Sequence, residues 1–383
     1  MINDRNVRRL ALVSILTSID LFSAIEVAFF LQKDLTASQI YMIYSIFSIL
    51  IFLLEVPTGY ISDKIGYKKS IILGLICGML GFMGFIFGKG FRVISIAYFF
   101  MALMNTLISG SDDALLYDTL KESGVEDKFE VTYSKIASYG YFASIIGSIL
   151  GGIIAGVSMN INVVVQTIFV IVGLCILTLV KSPKQFDYGK ENIEENIQYK
   201  RKEIKAVATV LILAGFFMAS TLIGTKFSQQ IMLSANLPVS FFGFFAALLT
   251  VMASIFSYIA PKCKKVPFSI IMLMPALILI AIGISQNGFF VFLLLITSAS
   301  RALGNVKITT LINNKISSKY RATINSVKSL LFRLFYSIII LVCGKVADYD
   351  IFLAVMLSGI ILFIMVSIFL IVRCVVEKHE LST

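Results

Sequence analysis

The chain has 383 residues, 58% of them hydrophobic and only 14% charged. A soluble domain carries about a quarter charged residues on its water-facing surface, so this composition excludes an ordinary soluble fold and makes lipid the main solvent. The net charge of +11 does not call for a nucleic-acid partner, because about 25 of the 33 Lys and Arg fall in segments on one side of the predicted membrane. That asymmetry is the positive-inside pattern and places both termini in the cytoplasm.

Apolar runs long enough to cross a bilayer, about 20 residues each, recur along the whole sequence. In the first half they are predicted at 9–31, 38–60, 69–88, 92–116, 132–157 and 163–181. The first run carries Asp20 and Glu26 and has no small-residue cleavage site, so it reads as a span rather than a removable leader. A polar stretch follows, with Lys184, Lys190, Glu191, Glu194, Glu195, Lys200, Arg201 and Lys202. Such a segment cannot enter hydrocarbon and reads as a cytoplasmic linker over 182–205, with room for an amphipathic helix on the membrane surface. The second half repeats the layout, with spans at 206–232, 239–260, 267–285, 289–312, 323–343 and 351–373. The expected organisation is an all-α membrane protein of twelve transmembrane helices, in bundles of six over 1–181 and 206–383. A faint internal repeat supports two parallel halves: Ser134 to Gly152 resembles Ser326 to Gly344. Carriers built from repeated bundles hold their substrate between them at mid-membrane.

Between the second and third spans the sequence reads Gly59-Tyr60-Ile61-Ser62-Asp63-Lys64-Ile65-Gly66-Tyr67-Lys68-Lys69. Glycines bracket a predicted tight cytoplasmic turn, an acid begins it and bases close it. Asp63 is placed to accept charge-assisted hydrogen bonds from a base or a helix end. This stretch resembles the loop signature of the major facilitator superfamily, G-x-x-x-D-(R/K)-x-G-(R/x)-(R/K)-(R/K), matching at Gly59, Asp63, Lys64, Gly66, Lys68 and Lys69. The equivalent second-half loop, Pro261-Lys262-Cys263-Lys264-Lys265, keeps bases but not the acid or glycines. The stretch Ser109 to Asp118 looks like a variant found in some bacterial facilitators. It lacks the usual fourth-span arginine, with Thr106 at that place. Gly147-Ser148-Ile149-Leu150-Gly151-Gly152 is similar to the G-P-x-x-G-G pattern of exporters, with Ser148 for the proline. Gly147, Gly151 and Gly152 serve plain close helix packing equally well.

The ionisable residues inside spans are Asp20, Glu26, Glu55, Asp112, Asp113, Lys226, Arg301, Lys307 and Arg333. Each would cost roughly 2.5–3.5 kcal/mol at a lipid-facing helix centre, so most must face protein or a watery cavity. Seven lie in spans 1, 4, 7 and 10, which the resemblance implies line a central cavity. The acids fall in the first half and the bases in the second. Asp20, Glu26, Asp112, Asp113, Lys226, Arg301 and Lys307 are therefore the candidates for proton coupling and substrate contact, Glu26 first among the acids. On an unbroken helix Asp20 and Glu26 project about 240° apart. Arg333 is placed to neutralise a helix end or pair with Asp63 or Glu55. Tyr139, Tyr141, Asn105 and Gln229 are further polar candidates for the cavity.

The resemblance to bacterial drug:proton antiporter-like members implies a monomeric secondary transporter in the plasma membrane, exporting a small amphipathic or cationic compound against protons. The alternative is uptake by symport, or exchange, of a nutrient or a small metabolite; Lys226, Arg301 and Lys307 suit an anionic one. The sole histidine is His379 and the five cysteines are scattered, which gives no metal or cofactor pattern. With no H-E-x-x-H and no G-x-x-x-x-G-K-[ST] loop, neither an enzyme nor a nucleotide-driven pump is expected. Ile-, Lys- and Asn-rich usage fits a bacterial source.

Overall fold

The structure, a computed structural model, describes residues 4–183, 197–263, 265–316 and 321–380. All regular elements among them are helical. Eleven segments are long and apolar enough to cross a membrane, beginning with Ala37–Ile65 and ending with Ile351–Ile371. The remaining crossing is the first predicted span, which is split into α1 (Arg5–Ser18) and α2 (Glu26–Gln32). At about 1.5 Å per residue neither piece alone crosses a hydrocarbon core of about 30 Å; together, with the chain between them, they make the twelfth.

The other helices are α3 (Ala37–Ile65), α4 (Tyr67–Phe87), α5 (Gly90–Ile108), α6 (Ser111–Glu122), α7 (Phe129–Val157) and α8 (Met159–Thr178). The second half follows with α9 (Ile197–Lys226), α10 (Ser228–Ser234), α11 (Val239–Ile259), α12 (Phe268–Ser285), α13 (Leu294–Lys315), α14 (Arg321–Ala347) and α15 (Ile351–Glu380). Most of the predicted linker lies outside the described residues. Its last part, from Ile197, is the first two turns of α9.

The irregular spans are a particular set. Span 1 breaks at Ile19–Ile25, span 4 at Ser109-Gly110 between α5 and α6, and span 7 at Phe227 between α9 and α10. Span 10 opens as a 3-10 turn over Gly288–Leu293 before α13. Broken backbone at membrane depth is tolerated only where protein or a water-filled cavity satisfies its freed groups. These are the same four spans that carry most of the ionisable residues.

The chain forms two compact units. Unit 1 comprises Met1–Leu35, Ile49–Lys190 and Pro238–Ala247, and unit 2 comprises Thr36–Ser48, Glu191–Leu237 and Leu248–Thr383. Two stretches are thus exchanged between the sequence halves. The start of α3 is tied into unit 2 by hydroxyl-to-carbonyl hydrogen bonds, Ser45 to Ser337 (2.8 Å) and Ser48 to Arg333 (3.1 Å). Tyr41 adds a bond from its hydroxyl to Gln230 Oε1 (3.0 Å). In unit 1, the start of α11 meets α7 at Gly152, where a Cβ would come within 2.6 Å of the Ser240 carbonyl oxygen and 2.8 Å of the Gly243 nitrogen. Bare backbones pack here, as small residues allow in membranes.

The turn predicted over Gly59–Lys69 is much shorter in the structure. Asp63 and Lys64 still belong to α3, and the turn contracts to Gly66, whose φ of +91° needs glycine. Gly59 does not bracket a turn: it lies within α3, and a Cβ there would meet nothing within 4 Å. What fixes the corner is a chain of buried hydroxyls. Ser62 and Ser70 share a hydrogen bond (2.6 Å), Ser70 donates to Leu107 O (2.8 Å), and Ser62 to Thr58 O (2.9 Å). Lys68 reaches the end of α8, donating to Thr178 O (3.1 Å) and Val180 O (2.6 Å), a favourable place for a cation. Lys64 stands over the Tyr60 ring at 4.5 Å. Asp63 accepts from Tyr67 Oη at 3.5 Å, and Asp63 and Lys69 are both exposed.

Candidate transport site

The break in span 1 is built by its neighbours. Within Ile19–Ile25 the helical ladder stops, leaving peptide groups without helical partners. Two amides one turn apart on α8 supply them. Gln166 Oε1 accepts from Leu21 N (2.7 Å) while its Nε2 donates to Ile19 O (3.0 Å). Asn162 Nδ2 donates to Leu21 O (3.0 Å) and Gly151 O (2.8 Å). The break lies against glycines of α7: a Cβ on Gly147 would come within 2.6 Å of Asp20 N, and one on Gly151 would collide with the Leu21 carbonyl. Gly147 and Gly151 therefore act through close packing.

Asp20 is consumed by this turn. Its Oδ1 accepts from Phe22 N (3.2 Å) and Ser23 N (2.9 Å), the short-range capping that an aspartate makes outside a helix. The helical projection that set Asp20 and Glu26 about 240° apart does not apply, because the helix stops between them. Glu26 instead opens α2, where the free amide end of a helix favours negative charge. Its Oε1 accepts a hydrogen bond from Tyr98 Oη of α5. Around the pair lies a buried aromatic cluster: Phe22 stacks on Phe85 at 5.3 Å, and Phe30 and Phe85 flank Tyr98 at 5.7 and 5.2 Å. Nearby, Lys33 Nζ caps α4 at Ile86 O (2.9 Å) and Gly88 O (3.4 Å). Burial, then the adjacent Lys89, lowers the Lys33 pKa from its ordinary value.

Unit 1 also holds a partly open cavity of about 180 Å³, lined mainly by α1, α4, α6 and α7. Leu10, Val13, Leu116 and Ile136 form its apolar wall; Ser14, Thr17 and Tyr133 are polar. Asp112 and Asp113 both open onto it from the first turn of α6. Gly110, at φ +78°, makes the sharp entry that turns these neighbours into the cavity. The structure thus brings these two predicted acids to one cavity. Glu55 is exposed on α3.

The basic candidates sit in unit 2, and two have structural work. Lys307 Nζ donates to Val266 O (2.6 Å), pinning the approach to α12. Lys226, at the end of α9, stands 5.0 Å from the Tyr44 ring centre, a cation–π distance. Arg301, half-buried on α13, has no side-chain tether of this kind among the described residues. Of the remaining polar candidates, Gln229 is buried and Asn105, Tyr139 and Tyr141 are exposed. Sequence reasoning missed Asn162 and Gln166, although amides at i and i+4 on an apolar span mark one face of a helix. It also missed Tyr98, which looks like any interior aromatic, and the buried Asp118. Among the described residues, no three His, Cys, Asp or Glu side chains are grouped to hold a metal ion.

Residues 10–340 match the profile of the Major Facilitator Superfamily. The chain belongs to that superfamily. It is a multi-pass membrane transporter and not an enzyme. Among facilitators, the uncharacterized MFS-type transporter YxaM of Bacillus subtilis (strain 168) is 24% identical over 208 residues. That likeness spans 52% of this chain and 51%, about half, of the relative. The facilitator fold is shared with the nucleoside transporter NupG (TM-score 0.77, 13% identity, 96% of this chain and 99% of that one). A POT family transporter in complex with 5-aminolevulinic acid gives 0.74 at 14% identity, over 96% of each chain. A bacterial homolog to the human lysosomal transporter Spinster gives 0.74 at 12% identity, over 95% of each.

Proposed function

We propose that this facilitator exports a small amphipathic or cationic compound in exchange for protons by alternating access, as a monomer in a bacterial plasma membrane with both termini in the cytoplasm. The observation that carries this reading is the pair of carboxylates, Asp112 and Asp113, opening onto a cavity with an aliphatic wall. The wall suits the apolar body of such a compound and the acids its charge. A carboxylate oxygen cannot hold a proton and a cation together, and that mutual exclusion is what an antiporter requires. Glu26, bonded by Tyr98, is the second group proposed to carry a proton.

The test uses proteoliposomes loaded with the purified chain under an imposed pH gradient, with ethidium as the cationic probe. Gradient-driven ethidium movement is expected for the parent protein. Asp112→Asn and Asp113→Asn should each lower it at least about tenfold, equivalent to about 1.4 kcal/mol, while both variants remain folded. Glu26→Gln should lose coupling to the gradient but retain ethidium binding. Ethidium movement indifferent to the gradient, or unchanged in both aspartate variants, would sink the reading.

A further inference from the structure

From Ile204 to Ala347 the sequence has 144 residues without a single Asp or Glu, yet 13 Lys and Arg. Unit 2 draws almost all its spans from this stretch, and its Thr36–Ser48 segment brings no acid either. A cation held inside a membrane span needs a partner or a watery surface, and the helices of unit 2 carry carboxylates only near their ends, Glu203 in the first turns of α9 and Glu377 and Glu380 at the end of α15. Lys307 and Lys226 meet the need with a carbonyl and a ring. Lys328 is held by side chains instead, and Arg301 by no hydrogen bond among the described residues.

Lys328 of α14 reaches across to α13, where its ammonium donates to Thr309 Oγ1 (2.9 Å) and Asn305 Oδ1 (3.4 Å). Both acceptors are neutral, so among the described residues these bonds position the charge without neutralising it. An ammonium has three N–H donors, and this arrangement uses two. Arg301, Asn305 and Thr309 follow at intervals of four and share one face of α13, each about 6 Å along the axis from the next. The half-buried Arg301 guanidinium therefore lies on the same helix face as the groups that hold Lys328, and no hydrogen bond or ion pair ties it among the described residues. On α14, Asn325 lies one turn before Lys328, and its buried Oδ1 has no hydrogen-bond partner.

We propose that Arg301 and Lys328 form a binding site for the carboxylate or phosphate of a small organic anion, with Asn305 and Thr309 holding Lys328 in place. The planar guanidinium supplies paired donors matched to an oxyanion, and the ammonium a point charge beside it. The orphan amide of Asn325 is available to a hydroxyl on the same solute. This site goes beyond the acid-lined cavity of unit 1 and does not depend on its cargo.

The experiment is thermal unfolding of the purified full chain in a neutral detergent. Citrate, inorganic phosphate, choline chloride or phosphatidylglycerol is added, the salts at matched ionic strength. A ligand of the folded state raises apparent stability in a saturable way. Citrate or phosphate should raise the transition by several degrees and choline chloride should not. Arg301→Gln and Lys328→Gln should each abolish the shift, and Arg301→Lys should retain part of it. If Arg301→Gln fails to fold, Lys328→Gln and Arg301→Lys carry the same comparison. The site is rejected if neither anion shifts the parent, or if the shift survives in the Gln variants. It is also rejected if phosphatidylglycerol alone stabilises, since the partner is then a lipid headgroup. Ethidium movement in proteoliposomes plays no part in any of these outcomes, so the two proposals stand or fall separately.

Discussion

Gly151→Val should leave almost no folded transporter. A Cβ at this position falls on the Leu21 carbonyl oxygen, with the Leu21 Cα and carbonyl carbon both at 2.8 Å. These are backbone atoms and cannot rotate aside like a flexible side chain. Nor is the Leu21 segment free to move, because Gln166 holds its N–H and Asn162 its carbonyl. Overpacking typically costs about 1–3 kcal/mol where neighbours can yield. Here they are pinned, so the loss should exceed that range and consume much of a typical stability of about 5–15 kcal/mol. The measurement is the yield of monodisperse protein in detergent and its apparent melting temperature. Gly59→Ala is the control: it lies within α3 and faces open space. Alanine there should be neutral or stabilising by about 0.5–1 kcal/mol, the usual gain over glycine inside a helix. A Gly151→Val protein that melts like Gly59→Ala would show that α7 and span 1 do not pack as described.

The contrast between these glycines shows what the sequence disclosed. Span positions were readable because twenty apolar residues in a row have few alternatives to a membrane helix; predicted 267–285 and observed Phe268–Ser285 differ by one residue. The facilitator signature was also readable, but Gly59 and Gly66 looked alike in it. Only Gly66 has a backbone that demands glycine. The break in span 1 was hidden, since Ile19-Asp20-Leu21-Phe22-Ser23-Ala24-Ile25 contains neither Pro nor Gly. Its cause lies some 140 residues away in the amides of α8, and no local pattern reports it. Charge placement was half legible. That Asp112 and Asp113 must avoid lipid followed from cost alone, and they do open onto one cavity. That Asp20 would be spent on its own turn, and Lys307 on a carbonyl, depended on backbone geometry.

Gln166→Leu should destabilise the protein by about 2–4 kcal/mol, because it removes both hydrogen bonds across the break and leaves a peptide N–H and a peptide C=O buried without partners. The residue is 5% exposed, so water cannot readily replace it. Averaged hydrogen bonds between membrane helices are worth less, about 0.6 kcal/mol, since side chains find other partners in the unfolded state. Gln166 differs in binding backbone groups that the helix itself has released. Gln166→Glu separates the two contributions: it keeps the acceptor for Leu21 N and loses the donor to Ile19 O, so it should melt between the parent and Gln166→Leu. Transport should fall together with stability in the leucine variant. With the clamp gone, span 1 gains from closing into a continuous helix, which would carry Asp20 off its capping turn and rotate Glu26 relative to Tyr98. A Gln166→Leu protein that melts within a degree of the parent would mean that the break holds itself open, without help from α8.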